Sequence, residues 1–147
     1  MIRIFTVAAA VVLGAGVVAA QDANHGRTVM KANGKAMGAV LSPMVKGEKP
    51  FDQAAVSEAL AQLEETVKKL PTLYPVSLKN AKPDGDYSPS PKIWDDKAEF
   101  DAHIASFGKA VGEAKSKIKD LDTLKASLPT IGKQCSGCHE TFRIKNS

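Results

Sequence analysis

The chain has 147 residues, 44% hydrophobic and 24% charged, enough for one domain with a single core and too few for two. Aromatic residues make up only 5%, which argues against the aromatic-rich strands of a β-sandwich or barrel and makes an all-α fold the first expectation. The formal charge is +4 and the pI near 9.1, but 20 basic and 16 acidic residues are interspersed, without the basic face that nucleic acid requires.

Residues 1–20 have the pattern of a cleavable secretory signal. Arg3 is a short positive start, Ile4 to Val18 an apolar run, and Val18-Ala19-Ala20 a small-residue cleavage site before polar Gln21 and Asp22. The run is short for a membrane span and no later segment approaches that length, so the expected mature domain is 21–147, exported to the periplasm.

Four helical stretches follow. The first is expected from about Asn24 to Leu41, where Val29, Met30, Ala36, Met37, Val40 and Leu41 recur at helical intervals until Ser42-Pro43 stops it. The second begins at Asp52, a good N-cap, and carries Val56, Leu60, Leu63, Val67 and Leu70 up to Pro71. A connection from Pro71 to Pro91, with an Asp84-Gly85 turn signal, is too long for a tight hairpin. The third helix starts between Pro91 and Asp95 and presents Phe100, Ile104, Phe107, Val111, Ala114 and Ile118. Asp122 is the expected cap of the fourth, which presents Leu124, Leu128, Ile131, Cys135, Cys138 and Phe142 and is expected to kink at Pro129. No segment shows the period of a strand, so the expected architecture is a four-helix bundle.

The two cysteines stand as Cys135-Ser136-Gly137-Cys138-His139. C-x-x-C-H lets two thiols add to the two vinyl groups of one haem while the next residue offers an imidazole to the iron. A thioredoxin-like pair would want a βαβ setting, which is lacking. A zinc site would need further ligands, with only His25 and His103 left to supply nitrogen. A local disulfide is the plainest alternative.

The run Gly132 to Arg143, with the segments Lys46-Gly47-Glu48-Lys49-Pro50-Phe51-Asp52 and Pro91-Lys92-Ile93-Trp94, resembles the class II c-type cytochromes, the cytochrome c prime family, over essentially the whole mature chain. That resemblance implies an antiparallel up-down-up-down bundle with one covalently attached haem c, bound by Cys135 and Cys138 and ligated by His139. Some members of that family have a Leu or Phe at the sixth iron position and are five-coordinate; others supply a Met. By position before Lys46-Gly47, allowing about one residue of slippage, Met30 falls at the distal site, which resembles the Met-ligated, low-spin branch. Read from residues alone the choice stays open, because Met30 and Met37 lie seven apart on one helix face and a methionine stripe also serves as core. Arg143 matches a basic position in the family, implying pairing with a haem propionate or screening of the proximal imidazole; a surface role is the alternative.

Trp94 is expected to pack over the loop, His25 to be solvated and His103 to lie at a helix edge. Lys31, Lys35, Lys125 and Lys133 are candidates for a docking rim, against the simpler reading of solvated helix faces. The combined expectation is a periplasmic electron carrier with iron held by His139 and Met30. It exchanges single electrons with other periplasmic redox proteins and is not itself an enzyme. The alternatives are a five-coordinate protein that binds nitric oxide or carbon monoxide, and a helical bundle with an incidental disulfide. Members of the family often pair into homodimers through their first two helices, where the second helix here shows only a narrow apolar stripe.

Overall fold

The computed structural model describes residues 15–83 and 85–146, with side chains from Asn24 onward. The leader expected at 1–20 lies outside these residues except for the backbone of 15–20. Helix α1 (Ala15–Lys35) runs into a π-helical turn (Ala36–Leu41) and a short α2 (Ser42–Val45). Then come α3 (Gln53–Leu73), a 3₁₀ turn (Val76–Leu78), β1 (Tyr87–Pro89), α4 (Lys92–Asp95), α5 (Lys97–Lys117), α6 (Leu121–Phe142) and β2 (Arg143–Lys145).

The stop expected at Ser42-Pro43 does not occur; the helical path continues to Val45. Pro43 falls in the first turn of α2, where a missing N–H is tolerated, and the wide turn ahead of it relaxes the bonding its ring would obstruct. Lys49 Nζ donates to the Ala39 carbonyl at 3.2 Å, the carbonyl that an N–H at position 43 would have met in a regular α-helix. The real stop is at Lys46-Gly47. Gly47 has φ +76°, its N–H donates to Met44 O at 3.1 Å and the Glu48 N–H to Pro43 O at 2.8 Å, a Schellman pair that closes the last carbonyls.

Asp52 caps α3, accepting from the Ala54 and Ala55 N–H groups at 2.9 and 3.1 Å. Pro71, expected to end this helix, lies inside it. The extra turn is held because Leu70 and Leu73 are buried and Trp94 Nε1 donates to the Tyr74 carbonyl at 3.0 Å. The cap of α6 is Asp120 rather than the expected Asp122. Its carboxylate accepts from the Thr123 N–H at 2.8 Å, and the Thr123 hydroxyl accepts from the Asp120 N–H at 3.1 Å, a reciprocal capping box. Asp122 sits in the first turn, where a negative charge suits the helix dipole. Pro129 lies within α6, which continues through it.

The all-α expectation needs one amendment. Antiparallel β1 and β2 pair Tyr87 with Lys145, Ser88 with Ile144 and Pro89 with Arg143. Three-residue strands are too short to announce themselves by alternation and are not stable alone. These are extended by the Ser90 N–H to Phe142 O at 2.9 Å and by Asn146, which donates from its backbone to Asp86 O at 2.9 Å and from its side chain to Gly85 O at 2.7 Å. Of the predicted turn, Asp84 lies outside the described residues, and Gly85 has φ +73°.

Around the bundle α1 packs on α3, α3 on α5 and α5 on α6, and α2 closes the ring against α6. Leu41, Val56, Leu63, Leu124 and Ile131 are fully buried there, each worth about 1.5–3 kcal/mol of apolar transfer. No helix among the described residues is long and apolar enough to cross a membrane. Toward the other end, α1 and the C-terminal turns of α6 face a common space that the core does not fill.

Candidate functional site

That space is a cavity of about 890 Å³, within the range of sites that hold a sizeable organic cofactor. Cys135, Cys138 and His139 line it from the last two turns of α6, where positions three and four apart share a face. All three are half-buried and both thiols are free. Met30 and Met37 line the same cavity, from α1 and from the π-helical turn. Leu70 of α3, Phe100, Ile104 and Phe107 of α5 and Phe142 of α6 form apolar walls.

Two glycines of α1 shape the opening. A Cβ on Gly26 would come within 3.1 Å of the Tyr74 ring, which would then have to shift by a few tenths of an ångström. A Cβ on Gly34 would meet nothing within 4 Å; with Met30 and Met37, Gly34 forms an i, i+4, i+7 face bordering the cavity, and its missing side chain leaves room for a flat group.

Burial sets the protonation of Cys135, Cys138 and His139. It pushes the Cys138 thiol up to about 11, with the neighbouring Cys135 adding to the shift, and raises Cys135 as well. Burial, followed by the positive charge of Arg143, lowers the His139 imidazole. Near neutral pH the site therefore presents two S–H groups and a neutral imidazole, the form in which histidine ligates metal. Tyr74 is pushed up to about 12, chiefly by burial, and remains an uncharged phenol in the wall. The volume, apolar walls, gap at Gly34 and donor set all fit a haem tethered from α6.

Arg143 is exposed and lines the cavity mouth, with its guanidinium over the Tyr87 ring at 4.2 Å. His103, expected at a helix edge, also lines the cavity, with its ring edge-on to Phe142 at 5.4 Å. Exposed His25 is not among the lining residues. Trp94 is half-buried against the Tyr74 carbonyl. Of the four candidate rim lysines, Lys31 borders the cavity, whereas Lys35, Lys125 and Lys133 are exposed elsewhere.

Several lining residues carried no sequence signal. Asn33 and Thr66 are brought together by the packing of α1 on α3; Arg27, Lys79 and Lys82 are gathered by the proline-rich connection folding back over the mouth. Lys79 is paired with Asp95. Thr66 is fully buried, with its hydroxyl 2.7 Å from Asn33 Oδ1.

Comparison with known proteins places this geometry among haem proteins. The family model described as "Cytochrome C'" matches residues 22–143. Cytochrome c-556 of Rhodopseudomonas palustris is 55% identical over 99% of both chains, and cytochrome c' of the same organism is 40% identical over 99% of both. A solved structural model of oxidized R. palustris cytochrome c556 superposes with a TM-score of 0.75 at 54% identity, covering 84% of this chain and 96% of that one.

Proposed function

Because the chain belongs to the cytochrome c' family, whose c-type members bind covalently attached haem c, we propose that it is a periplasmic one-electron carrier with iron held between His139 and Met30. The observation that carries this reading is that His139 and Met30, on different helices, border one apolar cavity together with two free thiols. Cys135 and Cys138 would hold a haem through thioether bonds, each thiol adding its S–H across one vinyl group. His139 would offer a ring nitrogen to the iron. Met30 would offer a soft, neutral sulfur, which favours the ferrous state and so raises the potential. Arg143 holds a positive charge near the proximal imidazole, on which it already acts. The bound haem supplies the reversible Fe(III)/Fe(II) change; the polypeptide fixes its ligands and keeps water from it.

Met37 is the rival sixth ligand, since it lines the same cavity. Met30 is favoured by its position one turn before Gly34 and by an amide donor at its sulfur. Export is supported by the start of the family match at residue 22 and by the solved relative, which matches 84% of this chain with 96% of its own, as a mature chain without a leader of about twenty residues would. On this reading its redox partners are other periplasmic proteins.

The test is the visible spectrum of holoprotein matured in a host with haem-attachment machinery. Six-coordinate low-spin bands, with a ferric sulfur-to-iron charge-transfer band, support the carrier. A five-coordinate high-spin spectrum would replace it with the gas-binding reading, which the similarity to a cytochrome c' keeps in view.

A further inference from the structure

A polar chain runs from the interior of α3 to the sulfur of Met30. Thr66 lies fully buried in the bundle, an environment that tolerates a hydroxyl only when it is hydrogen-bonded. Its Oγ1 donates to Asn33 Oδ1 at 2.7 Å. Gln62, one turn earlier on α3, donates from Nε2 to the same Asn33 oxygen at 3.5 Å and to Thr66 Oγ1 at 3.4 Å. With its oxygen held by these donors, Asn33 directs its amide nitrogen toward Met30 Sδ, 3.9 Å away. Asn33 stands one helical turn after Met30, and both border the cavity with Thr66.

We propose that Asn33, oriented by Thr66 and Gln62, is a positioning residue for the Met30 thioether and raises the potential of the iron it ligates. This rests on the reading of Met30 as sixth ligand. A thioether sulfur has two lone pairs. If one binds iron, the other accepts from the Asn33 amide, which fixes the lone pair presented to the metal. The same donation draws electron density from sulfur, weakening its bond to the electron-poor ferric ion more than to the ferrous one. Partners behind a ligand tune a metal in this way. The chain also explains why α3 carries a threonine at a core position where valine would fit without a polar group to satisfy.

The test compares wild-type holoprotein with Asn33→Leu, Thr66→Val, Met30→Leu and the double variant Met30→Leu/Asn33→Leu. The readouts are midpoint potential, ferric charge-transfer band and NMR shift of the ligand methionine methyl. Asn33→Leu is expected to remain helical and haem-loaded, with its reduced-to-oxidised ratio lowered about tenfold at fixed potential, about 59 mV for one electron, and the methyl signal displaced. Thr66→Val, which leaves the bundle's shape nearly unchanged, is expected to move both in the same direction by less. In the Met30→Leu background the Asn33 substitution is expected to have no further effect on potential.

A fall in thermal stability with potential and methyl shift unchanged in both Asn33→Leu and Thr66→Val overturns the proposal, because the chain then only ties α1 to α3. An undiminished Asn33 effect without Met30 overturns it too. The ligand assignment fails separately: Met30→Leu would then retain the low-spin spectrum and its charge-transfer band.

Discussion

The Arg143 guanidinium lies 4.2 Å from the centre of the Tyr87 ring, and this contact fastens the end of the chain to the proline-rich connection across the cavity mouth. Arg143 also pairs in register with Pro89, one strand position from Ser88 and Ile144. A guanidinium on an exposed aromatic face contributes about 0.5–1 kcal/mol, which adds to a short ladder otherwise held by its own bonds and those of Ser90 and Asn146.

Replacing Arg143 with Ala is therefore expected to loosen this strap selectively. The amides of Tyr87, Ser88, Ser90 and Ile144 to Asn146 should exchange hydrogen faster, while those of α3 and α5 keep their protection. A uniform loss of protection across the bundle would assign Arg143 to global stability instead.

Met30→Leu is expected to give a five-coordinate, high-spin protein that binds carbon monoxide readily and has a lower potential. Met37→Leu should cost under about 1.5 kcal/mol in stability, as a near volume-conserving change, and leave the spectrum low-spin. The reverse pattern, seen by absorbance with and without carbon monoxide, would move the ligand to Met37.

If both thiols become thioethers, acidified acetone should leave the colour with the polypeptide. In the Cys135→Ala/Cys138→Ala variant the colour should extract freely. Its denaturation midpoint should also fall and depend on added haem, since a dissociable group stabilises only by mass action. An intact mass equal to that of the bare chain from an attachment-competent host would remove the tether altogether.

Asp120 gives the bundle an acid limb. Hydrogen bonds from the Thr123 backbone and hydroxyl hold its carboxyl below the usual value near 3.8. The folded state therefore binds its proton less readily than the unfolded chain. Stability from this cap is fully present above the ordinary carboxyl value and is lost as pH falls through the lowered one. Asp120→Asn keeps a capping oxygen without the charge, so the wild-type advantage in denaturation midpoint should be present near pH 6 and shrink toward pH 2. A difference independent of pH would show that the charge contributes nothing.

What was legible in the sequence was what repeats or is chemically marked. The apolar periods located four long helices, Asp52 announced its own cap, and the C-x-x-C-H run Cys135-Ser136-Gly137-Cys138-His139 marked the last helix as one that lines the cavity. Proline misled at both helix ends where it was read as a stop. At Pro43 a wide turn and the Lys49 ammonium absorb the lost donor; at Pro71 the buried Leu73 holds one more turn. The strap escaped notice because three-residue strands have no period to detect. The Gln62–Thr66–Asn33 chain joins positions some thirty residues apart and exists only once α1 lies on α3. The count back from Lys46-Gly47 to Met30 crosses a π-helical turn, which holds one residue more than an α-helical path of the same course and has no mark in the sequence.

That spare residue makes the chain forgiving of length change at one place and intolerant of it nearby. Losing one residue within 36–41, with Pro43→Ala to spare the restored α-helix a proline in its interior, would leave Met30 and Leu41 on the faces they now occupy, and the spectrum of the shortened protein should match the parent. Losing one residue between Met30 and Lys35 would instead turn Met30 by about 100° relative to the helix below it, and the low-spin spectrum should disappear. If Met30 is the sixth ligand, a descendant gene can thus shed a codon at the wide turn without changing its electron chemistry, whereas a codon lost one turn upstream would carry that ligand away from the iron.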